Sequence, residues 1–170
     1  MGVIVRRAQA GDGAAIGRVH VAAWRWAYRG VMPDDVLDSL SEESRAAQWE
    51  VALEQGESMW VAEADGEIVG FASQGAARDE DLADGTVELL TLYVVEDVLG
   101  TGVGSALTAA VEDEWRARGI ELAVLWVAVD NQLGRAFYER HGWTPDGTRK
   151  LEHVRDDEAI EAVRYAKSIR

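Results

Sequence analysis

The stretch Leu92-Tyr93-Val94-Val95-Glu96-Asp97-Val98-Leu99-Gly100-Thr101-Gly102-Val103-Gly104-Ser105 decides the fold. Its first four residues close a hydrophobic strand predicted over residues 86–95. Its end opens a helix that carries Leu107, Ala110, Val111 and Trp115 on one face. Between them glycine recurs at positions 100, 102 and 104. Glycine accepts positive φ and lets backbone N–H groups approach a ligand closely. The helix behind adds the unpaired amides and positive dipole of its first turn. Strand, glycine loop and helix together make a site for phosphate or pyrophosphate, although tight turns also use glycine.

The details exclude two rivals. A phosphate-loop NTPase needs Lys then Ser or Thr after the last glycine, whereas Ser105 and Ala106 follow Gly104. The dinucleotide fingerprint spaces its glycines G-x-G-x-x-G within a βαβ unit. Here the spacing is G-x-G-x-G after an antiparallel hairpin.

Upstream, a strand over residues 3–7 precedes a helix from about Asp12, read as its N-cap. Ile16, Val19, Ala23 and Trp26 form one stripe of that helix, and His20, Trp24 and Tyr28 a second. Arg29-Gly30 stops it. Pro33 starts a short helix through Leu40, and Ser41 caps another that reaches about Gln55. Strands over 58–64 and 67–74 flank Asp65-Gly66, a connection suited to a type I′ hairpin. A polar, acidic loop over 75–85 leads into the strand before the glycine loop. Downstream, Gly119 ends the helix and a buried strand spans 122–128. A helix follows over 132–141, closed by Gly142, and then two alternating strands over 148–154 and 161–168 around an acidic turn. The fold class is α+β: a mixed, mostly antiparallel sheet of six or seven strands with helices on both faces. The tryptophans at 49, 60, 115 and 126 fall at core-like phases.

With 170 residues, 48% of them hydrophobic, the chain predicts one domain over 1–170. No apolar run approaches the roughly 18 residues that span a bilayer, and the first residues have the wrong order for a signal peptide. Cysteine is absent, and His20, His141 and His153 lack metal-ligand spacing, so no metal is expected. The chain reads as cytoplasmic. Its net charge is −14, from 31 acids against 17 bases. That sign disfavours nucleic acid and anionic membrane and mainly maintains solubility.

At the glycine loop the chain resembles the GNAT superfamily of N-acetyltransferases, whose signature is Arg/Gln-x-x-Gly-x-Gly/Ala after a strand. Leu99 through Gly104 match it, with Leu99 in place of Arg or Gln. A second block, Asn131-Gln132-Leu133-Gly134-Arg135-Ala136-Phe137-Tyr138-Glu139-Arg140-His141-Gly142-Trp143, is similar to the family's N-x-x-A-x-x-x-Y-x-x-x-G-F. Gly134 stands for the usual alanine and Trp143 for the usual phenylalanine.

The resemblance implies a GNAT fold and an acetyl-CoA co-substrate. It implies that the loop Leu99, Gly100, Thr101, Gly102, Val103, Gly104 and Ser105 holds the CoA pyrophosphate. The strand Leu92, Tyr93 and Val94 would pair with the pantetheine arm, and Asn131 would contact that arm or cap its own helix. Tyr138 is implied as the acid near the CoA sulfur, against packing beside Phe137. Glu88 is implied as the base that reaches the acceptor amine through water, against a solvated strand end. Trp24 and Tyr28 fall where the family builds its acceptor pocket, or they pack between helices. Pairing through the C-terminal strands would make a homodimer.

The chemistry asks for such residues. An amine with a pKa near ~10.4 is almost wholly protonated at neutral pH, so a base must take its proton before attack. An acid must then protonate the departing thiolate. The alternative is an acetyl-CoA sensor without turnover, which needs the loop but neither Tyr138 nor Glu88. The acceptor and the preferred acyl chain are not legible in these residues.

Overall fold

The computed structural model describes residues 2–170, the Arg155 side chain excepted. In chain order the elements are β1 (Val3–Arg7), α1 (Gly13–Tyr28), α2 (Asp34–Asp38), α3 (Glu42–Glu54), β2 (Met59–Ala64), β3 (Glu67–Ala76) and β4 (Val87–Val94). A 3₁₀ turn (Glu96–Val98) then leads to α4 (Val103–Ala117), β5 (Leu122–Ala128), α5 (Gln132–Arg140), β6 (Thr144–Arg155) and β7 (Glu158–Ser168). The seven strands follow the order β1-β2-β3-β4-β5-β7-β6. The β4–β5 pair is parallel, and the pairs β1–β2, β2–β3, β5–β7 and β6–β7 are antiparallel. The α+β class with a mixed, mostly antiparallel sheet is the one expected. No described helix is long and apolar enough to cross a membrane.

By its contacts the chain divides into two compact units: Met1–Gln74 with Thr91–Glu114, and Gly75–Leu90 with Trp115–Arg170. In the first, β2 and β3 turn at Asp65 and Gly66, whose φ angles of 52° and 82° are both positive, as a type I′ turn requires. Ile16, Val19, Leu53, Met59, Val61, Ile68 and Phe71 form its core. Helices α1 and α3 approach closely because α1 carries glycine there. A Cβ on Gly17 would stand 2.6 Å from the Ala46 amide nitrogen.

Two sequence expectations need correction in this unit. Asp12 makes no side-chain cap for α1. Arg6 takes its carboxylate instead, at 2.8 and 3.1 Å, and holds Asp12 below the usual carboxylate range. Glu50 of α3 serves the helix end, accepting from the amides of Gly11 and Gly13 at 2.7 and 2.9 Å. Trp49 is half-buried but packs on the core, as its phase suggested, whereas Trp60 is half-buried at a border. The Trp60 indole donates to Glu114 at 2.8 Å, which keeps its polar edge at a charged border.

In the second unit β5 pairs with β7 along its whole length, from Leu122↔Ser168 to Ala128↔Ala162. Trp115, Trp143, Tyr165 and Leu125 are fully buried there, with the two indoles edge to face at 6.4 Å. Strand β6 begins at Thr144, ahead of the expected 148, because Thr144 and Pro145 already pair with Ala166 and Tyr165. Trp126 is half-buried, its indole donating to Asp79 at 2.9 Å.

The acidic segment read as a polar loop is pinned in place. Arg164, 4% exposed, donates to Asp146 at 2.6 Å, to Asp81 at 2.8 and 2.7 Å, to Asp79 at 3.2 Å and to Thr148 at 3.1 Å. Those partners drive its pKa well above the usual guanidinium value, the Asp81 hydrogen bond first.

Candidate active site

The first unit contains the glycine loop. Gly100 and Gly102 have φ of 76° and 96°, angles that side chains rarely tolerate. Open space surrounds both, since an added Cβ would meet nothing within 4 Å. The Thr101 amide and hydroxyl both donate to the Val98 carbonyl, at 3.3 and 2.5 Å, and tie the loop to the 3₁₀ turn. Helix α4 starts at Val103, so the first-turn amides of Val103, Gly104 and Ser105 have no carbonyl four residues back within the helix. Leu99, where the family signature has Arg or Gln, takes φ −61° and ψ 140° and donates its amide to Glu96 at 3.1 Å. Turn bonds and the Thr101 hydroxyl hold the loop where the family has an Arg or Gln side chain.

Leu92, Tyr93 and Val94 lie half-buried in the last turns of β4. Tyr93 belongs to an aromatic cluster with His20 at 5.0 Å, Phe71 at 5.5 Å and Trp24 at 6.5 Å between ring centroids. Trp24 also meets Tyr28 at 4.8 Å, so the two predicted acceptor residues share one wall. The Trp24 Nε1 is buried with no hydrogen-bond partner among the described residues.

His20 was legible only as part of a stripe, yet it sits at the centre of this cluster. Its Nδ1 accepts from the Trp49 indole at 3.0 Å, which assigns the proton of the neutral ring to Nε2. Burial lowers its pKa to about 4, with Arg45 adding to the effect, so the ring is neutral at neutral pH.

The second unit contains Glu88, Asn131 and Tyr138. Glu88 is 2% exposed, which removes the solvated-strand-end alternative. Burial along β4 does not alternate, for Leu90 is 37% exposed. Arg78 donates to Glu88 Oε2 at 2.9 Å. Glu88 Oε1 is buried and has no hydrogen-bond partner among the described residues. A buried acceptor without a donor is costly, and it is poised to receive a proton or an N–H.

Asn131 caps α5, its Oδ1 accepting from the Gly134 amide at 2.9 Å. At Gly134 a Cβ would stand 2.6 Å from Asn131 Nδ2, the far end of a side chain that can shift. Tyr138 is half-buried, edge to face with Phe137 at 5.5 Å and with Trp143 at 6.3 Å. The packing that sequence offered as the alternative to an acid role is therefore present. Sequence missed Arg78 altogether, because nothing local marks one arginine in an acidic loop.

Among the described residues, a seven-stranded mixed sheet with five helices and a glycine-rich segment ahead of α4 is an α+β architecture. The chain belongs to the Acetyltransferase (GNAT) family, which it matches over residues 19–143. It is an N-acetyltransferase with acetyl-CoA as co-substrate. It is 34% identical over 131 residues to the uncharacterized N-acetyltransferase YuaI of Bacillus subtilis, covering 76% of this chain and 73% of that one. It is 32% identical over 105 residues to an L-methionine sulfoximine/L-methionine sulfone acetyltransferase of Pseudomonas aeruginosa, covering 61% and 60%. The fold matches the crystal structure of the PaiA N-acetyltransferase of Thermoplasma acidophilum in complex with coenzyme A. That match has a TM-score of 0.76 at 21% identity and covers 99% of each chain.

Proposed function

We propose that the whole chain acts as one catalytic domain that acetylates a primary amine, with Glu88 as base and Tyr138 as acid. The observation that carries this reading is the buried, partnerless Oε1 of Glu88. The amides of Gly100 to Ser105 would hold the CoA pyrophosphate, and Leu92, Tyr93 and Val94 with Asn131 would hold the pantetheine arm. The co-substrate supplies an acetyl thioester. Glu88 Oε1 accepts a proton from the acceptor's ammonium, directly or through one water. The freed amine attacks the carbonyl and forms the C–N bond as the C–S bond breaks. Tyr138 Oη gives its proton to the departing thiolate and regains one from the acylated nitrogen, directly or through water, while Glu88 releases the first proton to solvent. A positioned base is typically worth about 10²–10⁴ in rate.

Trp24 and Tyr28 would contact the acceptor, where ring faces attract a cationic amine. The relative that acts on L-methionine sulfoximine and sulfone supports a small amino-acid-like acceptor here. A sensor without turnover leaves the buried Glu88 without a role. The −14 charge supports an enzyme that binds neither nucleic acid nor anionic membrane. The C-terminal strands β6 and β7 would form a homodimer contact.

Free-thiol release from acetyl-CoA, run against a panel of amino-acid-like amines, peptide N-termini and lysine peptides, tests the reading. Release that depends on one amine class supports it. No release with any amine would leave the sensor alternative standing. Tyr138→Phe should lower turnover with little change in acetyl-CoA affinity, and equal loss of both would assign Tyr138 to packing.

A further inference from the structure

Arg78 joins an exposed guanidinium to a buried carboxylate. The Arg78 side chain is 70% exposed and that of Glu88 is 3% exposed, with 2.9 Å between them. An ordinary surface pair of this kind contributes little, because holding a long side chain in one geometry costs entropy. Here the backbone on both sides of Arg78 is already fixed. The Ala77 amide donates to the Thr86 carbonyl at 2.9 Å. Asp79 receives the Trp126 indole at 2.9 Å and Arg164 at 3.2 Å. The next acid along, Asp81, receives Arg164 twice. The acidic segment is thus a rigid mount, and Arg78 is the cation it presents.

We propose that Arg78 is a positioning residue for the base. It holds Glu88 Oε2, so that Oε1 keeps a fixed direction and an unshared lone pair for the acceptor's proton. The proposal rests on Glu88 acting as base. Only a carboxylate oxygen left free of Arg78 can take the proton, so the ion pair at Oε2 leaves Oε1 as the accepting atom. The other charges that act on Arg78 are Asp79, on its own segment, and Glu152 of β6. Glu152 is itself paired with Lys150 at 3.0 Å, and that ammonium lies over the Trp126 ring at 4.1 Å. Glu88 is therefore left as the carboxylate that Arg78 bonds directly.

The test is the pH profile of kcat/KM for Arg78→Gln, Arg78→Lys, Glu88→Gln and the double variant Arg78→Gln/Glu88→Gln. A misdirected base costs most where the acceptor arrives protonated, so Arg78→Gln should lower kcat/KM at neutral pH by roughly 3–10-fold, an exposed cation being screened by salt. The loss should vanish at high pH, and Arg78→Lys should restore most of it. On the Glu88→Gln background, Arg78→Gln should add nothing. Should Arg78→Gln fold poorly, the lysine and double variants carry the comparison, since neither leaves Glu88 charged and unpaired. A loss equal at every pH, or one that persists in the double variant, would overturn the proposal. If Glu88→Gln is slow while Arg78→Gln equals wild type, Arg78 alone is wrong. Wild-type rates in Glu88→Gln would remove the base and Arg78's role together.

Discussion

Two segments adjoin β4 in the chain, and they are built by opposite means. The glycine loop after it is made of backbone: positive φ at Gly100 and Gly102, turn bonds to Val98, and the open end of α4. The acidic segment before it is made of side chains: Asp79 and Asp81 held by Arg164, and Arg78 laid on Glu88. A backbone site is specified by the residues that form it. A side-chain site is specified by partners far along the chain, and Arg164 lies 85 residues from Asp79.

The contrast predicts different failures. Gly102→Glu should abolish the rise in melting temperature that acetyl-CoA produces by mass action on the folded state. At φ 96° a side chain is strained wherever it points, and a carboxylate also repels pyrophosphate. An undiminished shift would break the loop assignment. Arg164→Met should instead leave acetyl-CoA able to raise the melting temperature while costing about 1–3 kcal/mol of stability, as Asp79 and Asp146, both half-buried, lose the hydrogen bonds of their buried cation. Urea unfolding measures it, and a cost under half a kilocalorie would show that the acidic segment is not pinned.

His20 sharpens the comparison through pH. Its pKa near 4 in the fold lies below the ~6.5 of an unfolded histidine, so the unfolded chain binds more protons between those values. Stability is therefore full above about pH 6.5 and falls as pH drops toward 4, by on the order of 3 kcal/mol from this one group. His20→Gln keeps an acceptor for Trp49 and should flatten that slope in denaturation curves taken across the window. An unchanged slope would assign the acid sensitivity elsewhere. The smallest effect belongs to helix packing. Gly17→Ala pushes a methyl against the Ala46 backbone and should cost about 1–3 kcal/mol, read as a lower melting temperature with no change in acetyl-CoA affinity.

The same distinction explains what sequence could reveal. The type I′ turn at Asp65-Gly66, the Ser41 cap and the Gly119 stop follow from local backbone chemistry, and each appears where it was read. Ser41 accepts from the Ser44 amide at 3.1 Å, as its spacing required. Asp12 was misread because a better partner, Arg6, arrives from the neighbouring strand. The early start of β6 depends on pairing with β7, which no window of sequence contains. Trp60 and Trp126 have core-like phases, yet their indole N–H groups draw them to Glu114 and Asp79. The candidate Glu88 was legible by its place before the loop, but its burial and its tie to Arg78 were not.

The central claim is that Glu88 accepts the acceptor's proton, and kcat/KM measured against pH for wild type and Glu88→Gln tests it most directly. The variant keeps the shape and loses the charge, so at neutral pH it should be slower by about 10²–10⁴. The deficit should shrink as pH rises and more amine arrives neutral, while acetyl-CoA affinity stays at the wild-type value. A Glu88→Gln enzyme with wild-type rates across the whole range would contradict the account and pass the proton to solvent or to another acid.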